Sequence, residues 1–195
     1  MAADATAMFR EAAEAPARVR AQLALNAPAV AALAARLRAA APRAVVTFGR
    51  GSSDHAATYL RYLIETRLGV MTASAPPSVS SVYDAAPDMQ GMLCIVISQS
   101  GRSPDLLAAA QAAAAAGATV VALVNDETSP LAAQADVVLP LHAGPELSVA
   151  ATKSYICALT AAAQLVGCWL EDAELLAALE SLPDRLDEAL SRPWP

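Results

Sequence analysis

A parallel α/β fold is predicted by three observations. Short, uncharged, β-branched segments recur at 44–48, 70–75, 92–97, 119–124 and 137–141. Longer helix-favouring stretches separate them, and alternation with crossovers of that length builds a parallel sheet with helices on both faces. The third segment, Cys94-Ile95-Val96-Ile97, carries no polar side chain, the pattern of a strand buried on both sides.

The elements follow in chain order. Ala-rich helices are expected at 7–14, 16–24 and 28–40, with Pro16 and Pro28 at helix starts. The first strand, 44–48, leads to a helix at 54–68. The second strand, 70–75, ends at Pro76-Pro77. After the third strand, Ser103 reads as an N-cap, Pro104 as the first helical residue and Asp105 as a first-turn acid of a helix at 104–116. Gly117 closes that helix before the fourth strand. A short helical turn at 130–135 precedes the fifth strand, and helices at 149–170 and 172–190 complete the chain. No internal repeat is present, and the alanine run 112–116 is a helix former.

Composition narrows the function classes. The chain of 195 residues is 56% hydrophobic and only 16% charged, which excludes a disordered chain and supplies a large core. Aromatics are 4%, so that core must be Ala, Leu and Val. A net charge of −6 argues against nucleic acid as a partner. Cys94, Cys157 and Cys168 lack ligand-like spacing, and His55 and His142 do not complete a set, so neither metal nor cofactor is expected. Buried-looking thiols in odd number fit a reducing cytoplasm. Acids at Asp4, Glu11 and Glu14 rule out a signal-peptide reading of the N-terminus. The uncharged run 106–125 is divided by Gln111 and Gly117 into helix and strand, and reads as core, not membrane.

Three polar loops at strand ends carry the chemistry. The third strand runs into Ser98-Gln99-Ser100-Gly101-Arg102-Ser103 and then a helix start. Unpaired amides and the positive end of that helix, with hydroxyls around them, suit a phosphate monoester. Open α/β sheets bind ligands at this end. The first strand ends in Gly49-Arg50-Gly51-Ser52-Ser53-Asp54. The third glycine of a dinucleotide fingerprint is absent, leaving a hydroxyl-bearing turn suited to sugar or phosphate. The third loop, 144–153, contains Glu146 and Lys153. Glu146 is either a ligand-facing carboxylate or a helix-start acid. Lys153 meets a phosphate, pairs with Glu146, or sits on a helix face. Arg50 and Arg102 follow strands in ligand-proximal loops, where each either touches an anion or, the safer reading, is solvated, and His55 and His142 read as ordinary surface or satisfied histidines.

Together, Gly51-Ser52-Ser53, the 98–103 loop, and Glu146 with Val149-Ala150-Ala151-Thr152-Lys153 resemble the sugar isomerase (SIS) domain family. The likeness covers roughly 8–170 and is strongest to the first half of the isomerase region of glucosamine-6-phosphate synthases and to glucosamine-6-phosphate deaminases. It implies a five-stranded parallel sheet in a three-layer αβα sandwich, preceded by N-terminal helices. It implies that Ser98, Gln99, Ser100 and Ser103 hold a sugar phosphate, with Ser103 in place of the commoner Thr. By the same likeness, Gly51, Ser52 and Ser53 contact the sugar and Val149 offers a backbone contact. Ala151 stands where the synthases carry Ser, which mildly favours a deaminase or another relative. In the family a second SIS domain supplies the catalytic carboxylate, the ring-opening histidine and a lysine, and nothing after Val149 resembles that set. No residue of this chain is therefore assigned as catalytic.

The expected organisation is an N-terminal helical arm at 1–42, an SIS domain at 43–170, and a helix with a Pro-rich linker at 171–195. The expected function is binding of a hexose phosphate or amino-sugar phosphate, as the first SIS domain of an isomerase or deaminase. The expected setting is a cytoplasmic homodimer whose parent protein carries a second SIS domain, with negligible turnover by these residues alone. Two alternatives stand beside it. One is the ligand-sensing domain of a sugar-phosphate-responsive regulator, although 1–42 lacks a basic recognition helix. The other is a non-catalytic dimerisation domain.

Overall fold

The computed structural model describes residues 6–85 and 87–192. Five strands, β1 Val45–Phe48, β2 Thr72–Ser74, β3 Leu93–Ser98, β4 Thr119–Val124 and β5 Val137–Pro140, form one sheet. Their order is β2-β1-β3-β4-β5 and every neighbouring pair is parallel. The helices are α1 Ala7–Ala13, α2 Ala15–Ala39, α3 Ser52–Leu63, α4 Ser78–Ser81, α5 Pro104–Ala115, α6 Pro130–Gln134, α7 Lys153–Leu170 and α8 Ala173–Ser191. This is the α/β architecture expected from the sequence.

Side-chain alternation along the strands splits the core into two layers. Val45, Leu93, Ile95, Ile97, Val121, Leu123 and Leu139 face α2, α3 and α7. Val46, Phe48, Cys94, Val96, Val120, Ala122 and Val124 face α5 and α6. β3 is buried along its whole length, as its apolar run from Leu93 to Ile97 requires, and Ser98 at its end is buried with it. Alanines of α5 and α7 let both helices sit close to the sheet; Ala109, Ala110, Ala113, Ala161 and Ala162 are all buried. Burial pushes the Cys94 and Cys157 thiols up to about 12, so both remain protonated and poorly nucleophilic. Among the described residues, no helix is long and apolar enough to cross a membrane.

Four elements depart from expectation. Pro28 does not start a helix; it lies inside a single α2 of 25 residues. Its ring leaves the Ala24 carbonyl without a helical partner, but both residues are on the exposed side. The opposite side is pinned by Val19, Gln22, Asn26, Val30, Leu33 and Leu37, all buried. Gln22 Nε2 donates to the Cys157 carbonyl at 3.0 Å, and Gln164 Nε2 of α7 donates to the Leu23 carbonyl at 2.8 Å. Packing on α7 overrides the local break. Beyond Pro76-Pro77 the chain forms the one-turn helix α4, where only a strand end was expected. A π-helical turn, Ile64–Leu68, extends α3 before Gly69 closes it in the left-handed region. Finally, α7 begins at Lys153, not at Val149. The proline-rich end at 193–195 and Asp4 lie outside the described residues.

Candidate functional site

The strand order places a topological switch between β1 and β3, since the chain moves outward from β1 to β2 and then back to β3. Open α/β sheets have their binding crevice at the carboxyl ends of such strands. A cleft of about 370 Å³ lies there. It is lined by Gly51, Ser52 and Ser53 after β1, by Ser98, Gln99, Ser100 and Ser103 after β3, and by Glu146, Ser148, Val149 and Ala151 after β5. Ile97 and Leu106 contribute apolar wall and Arg50 lies at the rim. Three loops far apart in sequence thus converge on one space.

The turn after β3 is built by its own side chains. Ser98 Oγ accepts from the Gly101 amide at 3.0 Å, and Ser100 Oγ accepts from the Arg102 amide at 3.3 Å. A hydroxyl that accepts from an amide still has its own proton to donate. Gly101 sits at φ +63°, and a Cβ there would lie 2.6 Å from the Ser129 Cβ, so turn and α6 touch at a point only glycine fits. Ser103 occupies the N-cap position of α5 in extended conformation, yet its side chain makes no capping hydrogen bond. Asp105 Oδ1 takes the Leu106 amide instead, at 3.0 Å. Ser103, its hydroxyl not used as a cap, lines the cleft at the positive end of a three-turn helix.

The loop after β1 is tight. A Cβ on Gly49 would lie 2.8 Å from the Asp54 amide nitrogen, so the glycine permits the strand end and α3 to approach. Arg50 pairs with Asp105 at 3.3 Å across the two loops, and Arg102 pairs with Asp126 at 2.8 Å. Neither arginine is simply solvated: each carries a carboxylate partner, and only Arg50 borders the cleft, where contact with an anion stays open to it.

Glu146 replaces a conventional cap at the start of α7. Its Oε1 accepts from the Thr152 amide and hydroxyl, both at 3.0 Å, and from the Ser154 amide at 3.2 Å; its Oε2 accepts from the Ser154 hydroxyl. Burial pushes the carboxyl up, but the hydrogen bonds from Ser154 and Thr152 outweigh it and hold Glu146 below the ordinary glutamate range. It is an ionised group facing the cleft, with its lone pairs largely engaged.

Lys153 is placed differently from every expectation. It is 1% exposed, is not among the residues lining the cleft, and its Nζ donates to Glu14 Oε2 at 2.8 Å. Glu146 is not its partner because Glu146 is spent on the helix start. Glu14, which also accepts from Arg18 at 3.0 Å, arrives from the N-terminal helices 139 residues away, a pairing no local spacing signals. Ser148 also escaped the sequence reading; only its position beside Val149 could have marked it.

A family model described as SIS domain matches residues 40–167, which contain all three cleft loops. The chain belongs to the SIS family. A candidate phosphosugar isomerase of Silicibacter pomeroyi is 47% identical to this SIS chain with a TM-score of 0.94, over 97% of this chain and 58% of the other. Glutamine–fructose-6-phosphate aminotransferase (isomerizing) of Symbiobacterium thermophilum is 35% identical over 76% of this chain and 26% of the relative. The same enzyme of Zymomonas mobilis is 39% identical over 59% of this chain and 19% of its own length. The chain thus spans about a fifth to a quarter of these curated relatives.

Proposed function

We propose that the cleft binds a hexose phosphate or amino-sugar phosphate. In this reading the ester phosphate sits on the Ser98–Ser103 turn, Ser53 meets the sugar, and the Val149 backbone closes the third side. One observation carries it. Ser103, at a helix start where its hydroxyl would ordinarily cap, makes no capping bond and lines a cleft rich in hydroxyls at the sheet's switch point. Hydroxyls that already accept amides and still hold a proton are matched to a dianion, which offers acceptors only. The family and its sugar-phosphate relatives support the same class of ligand.

The parent activity fits an aldose–ketose isomerase or a deaminase working through an enediol or enolamine. There the phosphate acts as a remote handle whose binding energy orients the reacting carbons. Within this chain the work is binding and orientation. Glu146 holds the α7 start and the third loop in place, and its ionised oxygen can accept from a sugar hydroxyl. A second SIS domain, homodimerisation and a cytoplasmic setting belong to the same proposal.

Thermal-shift titration with glucosamine-6-phosphate and fructose-6-phosphate tests it. The melting temperature should climb with ligand concentration, and Ser100→Ala with Ser103→Ala should weaken binding about tenfold or more, since each removes a charge-assisted hydrogen bond. Equal shifts for wild type and double variant would defeat the assignment.

A further inference from the structure

The third wall of the cleft belongs to no ladder. Residues 142–152 lie outside every helix and strand, so side chains hold their backbone. Asn125 at the end of β4 accepts the Ala143 amide at 2.9 Å and donates to the Gly144 carbonyl at 2.9 Å. Glu146 secures Thr152 and Ser154 at the other end. Between these anchors stands Glu11 of α1. Its Oε1 accepts from the Leu147 amide at 2.6 Å and its Oε2 from the Ser148 amide at 3.1 Å. Glu11 is 8% exposed, in a helix otherwise mostly solvent-facing. Leu147 and Val149 beside it are 87% and 108% exposed, so side-chain packing does not restrain this stretch.

We infer that Glu11 is a positioning residue for the ligand site. Its bidentate grip on two consecutive amides fixes where the Ser148–Val149 backbone presents itself to the cleft. The N-terminal helices, which lie before the 40–167 span of the family model, thereby become part of the binding apparatus. Burying a carboxylate costs free energy unless it is matched by donors, and here the two donors both come from the cleft wall. The ligand half of this inference rests on the sugar-phosphate reading; the loop half does not.

The test uses the full chain with Glu11→Ala, Glu11→Gln and, as a control on the neighbouring helix, Arg20→Ala, which breaks only surface pairs to Asp184 and Asp187. Hydrogen–deuterium exchange without ligand should show faster exchange confined to 146–150 in Glu11→Ala. Glu11→Gln, which keeps one acceptor oxygen, should be intermediate, and Arg20→Ala should leave that segment unchanged. Glucosamine-6-phosphate affinity, measured by calorimetry, should fall about tenfold in Glu11→Ala, a loss of roughly 1.4 kcal/mol, with partial recovery in Glu11→Gln. A merely structural role would lower the melting temperature and leave affinity and segment-specific exchange alone. Unchanged exchange at 146–150 overturns the inference, as does altered exchange with unaltered affinity. Wild type that fails to bind sugar phosphate brings down the functional reading, while the exchange data still decide whether Glu11 sets the loop.

Discussion

At the scale of single residues, Glu146 concentrates the competing demands of the site. It faces the cleft, yet four hydrogen bonds from Thr152 and Ser154 consume its oxygens. Glu146→Gln would turn an amide NH₂ toward groups that are themselves donors, leaving at least one buried donor unsatisfied. A destabilisation of about 1–3 kcal/mol is expected, read by urea denaturation at neutral pH; an unchanged midpoint would mean the carboxylate does not hold the helix start. The sequence leaves Glu146 open between ligand and cap because both readings ask for the same residue in the same place. The fate of Lys153 was not legible at all. Its partner Glu14, just past the end of α1, and the neighbouring wall anchor Glu11, within α1, lie upstream of α2 and the whole sheet, and only tertiary packing brings them within 2.8 Å and 2.6 Å of their targets.

At the scale of elements, strands were easier to read than helix ends. β4 matches its expected span because Thr119–Val124 is apolar, β-branched and bounded by Gly117 and Asn125. The three cleft loops were legible as clusters of hydroxyls and glycines at strand ends. α2 was misread because proline chemistry is local, whereas the decision is made by a buried stripe from Val19 to Leu37 packed on α7. That account has a consequence. Pro28 lies on the solvent side and still denies α2 a hydrogen bond, so Pro28→Ala should stabilise the protein by about 1–3 kcal/mol. Calorimetric melting should show a rise of several degrees; a fall would mean the ring is needed at a bend. The start of α7 was placed four residues early because 149–152 has helical composition. Glu146 instead draws the Thr152 and Ser154 amides to itself and begins the helix at Lys153.

At the scale of the whole molecule, several carboxylates tie separate parts of the chain together, and their titration should govern acid stability. Glu14 is held below its ordinary 4.5 by hydrogen bonds from Lys153 first and Arg18 second. Asp126 is held below 3.8 by Thr128 first and Arg102 second. Glu146 is lowered in the same direction. Each group releases its proton more readily folded than unfolded. Its contribution is therefore complete above the unfolded value and drains away as pH falls through the depressed folded one. Melting temperature should be level from neutrality to about pH 5 and decline below it; a profile flat down to pH 3 would refute this. The Lys153 ammonium, sealed at 1% exposure, has its counter-charge on a segment that the family span does not contain. A protein trimmed to begin at residue 40 would lose that counter-charge together with the buried α2 side chains Val19, Val30, Leu33 and Leu37 that share the core with α7, more apolar burial than a domain has stability to spare. The smallest autonomous unit therefore reaches back at least to the second residue before α2's first proline.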